Sequence, residues 1–240
     1  MSVVNLKING TSFKAPEGEM LLKVCRDSGF DIPTLCQNDA VEAQGRCRMC
    51  SVEVSEGKGK SKIVVSCNYP AREGLEVLTA SPRVMAVRKL VMELLAARCS
   101  TKPQMTGFAR GFGVTKPRYK PETETCILCG LCARVCDEVV GVHALSLVNR
   151  GSTKWAATPF FEPSKDCIGC GSCNYVCPTD CIGMEQIGDK RIFHKWNTEF
   201  KMKACKVCGN YFAPEYQLEY IQKKWNLPAN FFDTCTTCRA

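Results

Sequence analysis

Histidine is scarce: the 240-residue chain has two, His143 and His194, and neither lies near a nucleophile motif or the other. Both read as packing or surface residues. There is no glycine-rich phosphate loop, no G-x-G-x-x-G after a strand pattern and no acid/base pair, so the chain is expected to bind neither NAD nor flavin and to hold no catalytic site of its own. No apolar run approaches the ~18 residues of a membrane helix. The start, Met1-Ser2-Val3-Val4-Asn5, lacks the basic region and apolar stretch of a secretory signal, so a reducing, cytoplasmic setting is expected. With 45% hydrophobic and 23% charged residues the chain is globular. Its net charge of +8 invites a nucleic-acid reading. The basic residues are scattered, however, with loose concentrations only at 102–120 and 190–206, as on a solvated face.

What the chain has in excess is cysteine, 19 residues. In a reducing compartment these are metal ligands before they are disulfides. Around them the chain reads as α+β. Val4, Leu6 and Ile8 alternate as a half-buried strand, Asn9-Gly10 is a tight hairpin turn, and 11–14 returns. Residues 19–28 read as a helix with Leu21, Leu22 and Cys25 on one face, stopped by Gly29. Strands are expected at 51–54 and 62–66, around a Gly/Lys-rich loop at 56–61. Pro82 opens a helix through Arg98 with Val84, Val87, Val91, Leu94 and Leu95 at helical spacing, and 101–121 reads as an irregular linker.

Four cysteine constellations follow. Cys126-Ile-Leu-Cys129-Gly-Leu-Cys132-Ala-Arg-Val-Cys136 is repeated as Cys167-Ile-Gly-Cys170-Gly-Ser-Cys173-Asn-Tyr-Val-Cys177-Pro178. Three closely spaced thiolates bind three corners of a cubane, and the fourth cysteine of each run ligates the other cluster. That assigns Cys126, Cys129, Cys132 and Cys177 to one 4Fe–4S cluster, and Cys167, Cys170, Cys173 and Cys136 to the second. Zinc sites, the alternative, usually draw on two separated pairs. Cys136 precedes Asp137 where the second run has Pro178. Cys36, Cys47, Cys50 and Cys67, spaced x10, x2, x16, keep the order of a plant-type 2Fe–2S ferredoxin with a longer first loop. The strand–hairpin–helix start fits a β-grasp fold around them. Cys205, Cys208, Cys235 and Cys238 form two C-x2-C pairs resembling a tetrathiolate zinc ribbon, with Leu218, Ile221, Trp225 and Leu227 sketching a helix between. The same thiolates can hold a further iron–sulfur cluster; zinc is the preferred reading. Cys25, Cys99 and Cys181 are left over, Cys25 as a core residue and Cys181 as a buried free thiol.

These motifs carry a resemblance. Ile32-Pro33-Thr34-Leu35-Cys36, Gly45-Arg46-Cys47-Arg48-Met49-Cys50 and the stretches 88–95, 126–138 and 167–179 resemble the iron–sulfur (diaphorase) subunit of NAD(P)-linked bidirectional or electron-bifurcating NiFe hydrogenases. The first 98 residues are also similar to the N-terminal part of the large iron–sulfur subunit of complex I. The resemblance implies a hetero-oligomer in which this chain passes electrons between a flavin/NAD(P)-binding diaphorase subunit and a second catalytic redox subunit, hydrogenase-like first, or of an NAD-linked formate or aldehyde oxidoreductase. The family carries a His and three Cys after the spacer helix for another cluster. Here Arg98-Cys99-Ser100-Thr101-Lys102-Pro103-Gln104-Met105 has no His and only Cys99, so that cluster is expected to be absent.

The expected layout is a 2Fe–2S ferredoxin domain at 1–80, a spacer helix and linker at 81–120, a dicluster 4Fe–4S ferredoxin domain at 121–188, and a metal-binding tail at 189–240. A zinc-dependent nucleic-acid-binding protein is the distant alternative. A catalytic cluster needs an open coordination position, and each cluster motif supplies four cysteines. Each oxidised cluster or tetrathiolate zinc contributes about −2, so four sites bring the +8 to about zero. The basicity is then counter-charge to metal centres, and the nucleic-acid reading loses its support.

Overall fold

The computed structural model describes residues 2–57 and 59–239. Met1 of the expected leaderless start, Lys58 of the expected loop and Ala240 lie outside the described residues. The chain forms two units, Met1–Cys129 and Gly130–Ala240.

The first unit begins with β1 (Val3–Ile8) and β2 (Thr11–Pro16), joined through Asn9 and Gly10 at φ 51° and 87°. Two successive positive φ values make the tight turn that puts Ile8 opposite Thr11. Val4, Leu6 and Ile8 point into the core. Helix α1 (Leu21–Asp27) buries Leu21, Leu22, Val24 and Cys25 against the same core and ends before Gly29, at φ 86°. Strands β3 (Ser51–Glu56), β4 (Lys62–Val65) and β5 (Leu75–Leu78) complete a sheet of order β2-β1-β5-β3-β4. The strand β5, unread in the sequence, pairs parallel to β1 and antiparallel to β3, closing the mixed sheet.

Helix α2 (Pro82–Arg98) starts where Pro82 predicts, with Ser81 Oγ accepting from the Val84 N–H at 3.2 Å. Its buried face differs from the expected one. Val84, Arg88, Met92, Glu93, Ala96 and Ala97 are buried, while Leu90 and Leu94 are exposed. The apolar spacing misleads here because two charged side chains turn inward. Helix α3 (Pro103–Gly111) occupies what reads as an irregular linker: Pro103 sits at its first turn, and Met105 and Ala109 are buried.

In the second unit, α4 (Leu131–Arg134) runs into a π-helical turn at Val135–Val140, and α5 (Ser172–Tyr175) is its counterpart in the second cysteine run. Each follows a left-handed glycine, Gly130 at φ 77° and Gly171 at φ 85°, so the sequence repeat is a structural one. Strands β6 (Ser146–Val148) and β7 (Trp155–Ala157) form a hairpin. Strands β8 (Met184–Ile187), β9 (Lys190–Phe193), β10 (Thr198–Ala204) and β11 (Tyr211–Pro214) form a sheet of order β11-β10-β9-β8. Helices α6 (Glu215–Trp225) and α7 (Thr236–Arg239) follow. The expected break at 188/189 falls in the turn between β8 and β9, so the sheet spans it. Phe193 and Trp196, from the expected tail, share a core with Cys132 and Cys136. Of the residues expected on the tail helix, Leu218 is buried and Trp225 is exposed.

Candidate metal centres

The loop between α1 and β3 carries Cys36, Cys47 and Cys50, and Cys67 sits in a single 3-10 turn (Ser66–Asn68) after β4. All four are buried. They gather as two pairs. Cys47 bonds to Cys36, and Cys67 bonds to Cys50. The Cys67 thiol donates to Cys50 and brings its pKa down to about 6, while the protons held by Cys47 and Cys67 are pushed up. Backbone N–H groups point at the sulfurs: Cys47 to Cys36 Sγ at 3.3 Å and Leu35 to Cys47 Sγ at 3.4 Å. Gly45 sits at φ 61°, where a Cβ would meet Val65 at 3.1 Å, and its N–H serves Cys67. Two sulfur pairs with backbone donors fit two irons with two thiolates each.

Cys126 and Cys129 end the first unit, buried, with the Leu128 N–H on Cys126 Sγ at 3.4 Å. Cys132, Cys136, Cys167, Cys170, Cys173 and Cys177 belong to the second. A small cavity there is lined by Cys136, Cys167, Cys170 and Cys173, with Phe193 and Trp196. The sequence assigned these four cysteines to one cluster, although Cys136 comes from the other run. Burial pushes Cys167 up to about 11 and Cys173 up to about 12, so neutral thiols are held in a site whose bound group would take them as thiolates. The Trp196 indole favours the Cys173 thiolate, yet its Nε1 is buried without a well-formed hydrogen bond among the described residues. A donor left short of an acceptor beside a sulfur-lined cavity fits a sulfur-rich group.

Cys181 is not the buried free thiol expected. It is half-buried, its Sγ lies 3.5 Å from Cys177 Sγ, and its N–H donates to that sulfur at 3.4 Å. This contact brings Cys177 down to about 5. The x3 spacing from Cys177 to Cys181 was the signal for it. Cys99 is buried after α2 and bridges to Thr123, and Cys25 is buried in the core as expected. His143 and His194 lie at the surface, against Asp137 and Glu185.

The Sγ atoms of Cys205, Cys208, Cys235 and Cys238 all lie within 4.8 Å of one another, and this group can hold a metal ion. The N–H groups of Cys208, Cys235 and Val207 converge on Cys205 and bring it down to about 6, and the hydrogen bond that the Cys238 thiol donates to Cys235 pushes Cys238 up to about 12. A tetrahedral ion with bonds of about 2.3 Å sets its sulfurs about 3.8 Å apart. Cys208 and Cys235 stand at 3.9 Å.

Residues 2–82 match the 2Fe-2S iron-sulfur cluster binding domain, and residues 125–181 the 4Fe-4S dicluster domain. Similar proteins include the NADPH-Fe(3+) oxidoreductase subunit alpha of Geobacter sulfurreducens, 29% identical over 75% of this chain and 24% of the relative. The NADP-reducing hydrogenase subunit HndD of Solidesulfovibrio fructosivorans is 30% identical over 76% of this chain and 36% of the relative. The mitochondrial NADH dehydrogenase [ubiquinone] iron-sulfur protein 1 of Solanum tuberosum is 29% identical over 75% and 27%. The chain thus spans about a quarter to a third of these relatives. Among solved structures, an NAD+-reducing [NiFe]-hydrogenase in the H2-reduced state matches with a TM-score of 0.56 and 26% identity, over 65% of this chain and 74% of that one. No helix among the described residues is long and apolar enough to cross a membrane. The chain therefore carries one 2Fe–2S domain and one 4Fe–4S dicluster domain in that order, and is similar to a subunit of an NADP-reducing hydrogenase, to an NAD+-reducing [NiFe]-hydrogenase and to an iron–sulfur protein of NADH dehydrogenase.

Proposed function

We propose that this chain is the electron relay of a multisubunit NAD(P)-linked oxidoreductase, between a flavin/NAD(P)H-handling subunit and a second redox subunit, with a hydrogenase-like enzyme the first choice. The observation that carries the reading is the cavity joining Cys136 to Cys167, Cys170 and Cys173, the crossed set that a dicluster electron wire uses. One-electron redox chemistry comes from the iron–sulfur groups when bound. Cys36 with Cys47 and Cys50 with Cys67 hold the two irons of the 2Fe–2S group. Cys126, Cys129, Cys132 and Cys177 hold one cubane, and Cys136, Cys167, Cys170 and Cys173 the other. Leu35, Gly45, Cys47, Leu128 and Cys181 direct N–H groups at ligand sulfurs, offsetting thiolate charge. The buried core excludes water from the first site.

Cys205, Cys208, Cys235 and Cys238 bind one zinc. Their close packing supports a single ion, since a cubane places each cysteine on a different iron and spreads the sulfurs further apart. The domain limits 1–80, 81–120 and 121–188 remain our proposal for the chain's functional division, with 189–240 as the zinc-bearing segment. Nineteen cysteines suit a reducing compartment, the cytoplasm. Anaerobic metal and sulfide analysis tests the reading. About ten iron and one zinc per chain are expected, from 2 + 4 + 4 iron and one tetrathiolate. Reduction of all iron–sulfur signals by NAD(P)H through a diaphorase partner is expected too. About fourteen iron without zinc overturns the tail assignment, and clusters that stay oxidised with a competent partner overturn the relay.

A further inference from the structure

Two buried donors converge on the Cys167–Cys173 loop from the segment that follows the dicluster motif. Trp196 is 3% exposed, lines the cavity with Cys136, Cys167, Cys170 and Cys173, and its Nε1 makes no well-formed hydrogen bond among the described residues. Arg191, on β9, donates from Nη1 to the Gly169 carbonyl at 3.0 Å and keeps a buried, unpartnered Nε. The placement is enforced. The N–H groups of His194 and Lys195 bond to the Gly183 and Ile182 carbonyls at 3.0 and 3.1 Å, pinning the turn before Trp196 to the chain just past Cys181. On β10, the Phe200 ring packs so closely on the cysteine loop that a Cβ at Gly169 would meet it at 2.7 Å. A buried N–H whose nearest acceptor, the Cys173 sulfur, is poorly aligned is costly, and so is a buried Nε on a half-buried guanidinium with no acid beside it. Among the described residues no carboxylate lies within ion-pair distance of Arg191. Burial lowers its pKa, and Cys170 is the group that raises it again.

We propose that Trp196 and Arg191 are positioning residues for the second 4Fe–4S cluster, the indole N–H serving a cluster sulfur and the guanidinium its charge, and that together they raise its reduction potential. The segment after the motif is then part of the redox centre rather than an appendage. One electron taken up by the site changes its net charge from about −2 to about −3 with no proton required, and donors and cations favour the more negative state. The inference rests on the cysteine assignment under Proposed function.

The test is an EPR-monitored dithionite titration of the full chain, comparing W196F, R191Q and R191K with the parent. W196F keeps the ring and deletes the donor. R191Q deletes the charge, and R191K keeps it. In W196F and in R191Q, one of the two 4Fe–4S signals is expected to need a more reducing poise. At the parent midpoint its oxidised-to-reduced ratio rises about three- to tenfold, tenfold being about 59 mV for a one-electron couple. The other signal stays put, and R191K titrates near the parent. A purely structural role lowers iron content or melting temperature but leaves the potential of the retained cluster unchanged, and that result overturns the proposal. Should W196F lose iron, R191Q against R191K decides: equal potentials in those two chains overturn it. Failure of the ligand assignment looks different. In that case the parent shows no 4Fe–4S signal, or C136A keeps both signals.

Discussion

Burial of charge separates the informative side chains from the ordinary ones. On α2, Glu93 and Arg88 both face inward, yet only Glu93 has an ion partner, Arg118, at 2.6 Å. Removing that partner strands a carboxylate whose side chain is 6% exposed. We expect R118A to lower the midpoint of urea unfolding, with E93Q in the same chain recovering most of the loss. Arg88 is 4% exposed, donates to the Ser51 carbonyl at 2.6 Å beside Cys50, and meets no carboxylate at ion-pair distance among the described residues. Burial lowers its pKa and Cys50 is the largest influence raising it, as expected of a counter-ion to the first site. R88Q is therefore expected to make the 2Fe–2S signal harder to reduce, by roughly tenfold in the redox ratio at a fixed poise, while R88K stays near the parent. An unchanged midpoint in R88Q would mean that Arg88 only clamps β3.

Local elements were legible wherever one interaction dominates. Asn9-Gly10, Pro82 and Gly29 each dictate a turn, a helix start or a helix stop through backbone chemistry that needs no partner, and each falls where the residues indicate. Helix α3 was hidden because three glycines and three prolines in 101–121 argue against a helix, and Pro103 is tolerated only because it stands at the first turn. The cysteine spacing revealed which thiols belong together. It did not reveal Trp196 or Arg191, since their donors reach the loop through a sheet that pairs distant segments, and no period in the sequence encodes that. Gly169 is the element-scale test. At φ 71° and facing the Phe200 ring at 2.7 Å, it tolerates no Cβ. G169A is expected to cost about 1–3 kcal/mol and to lower iron retention, and F200L in the same chain to recover the packing part while the left-handed strain persists.

At the scale of the molecule, metal content and protonation are linked. Cys238 holds its proton up to about 12 and Cys205 releases its own near 6, so zinc binding displaces protons. Zinc affinity is expected to rise with pH and to fall most steeply below about pH 6, where Cys205 also protonates. Competition against a colorimetric chelator from about pH 5 to 8 reads this, and a flat profile would contradict the tetrathiolate assignment. The cavity that joins Cys136 to the Cys167 loop has a further consequence, for the life of the folded chain. Under the proposed ligation, the cubane is a cross-link closing a loop of about 30 residues, of the kind that removes about 3–4 kcal/mol of disorder from an unfolded chain. Iron loss then loosens the chain as well as silencing it. A relay stripped of its cubane by oxygen becomes an easier target for proteases than an intact one, so damage to the wire marks the protein for removal.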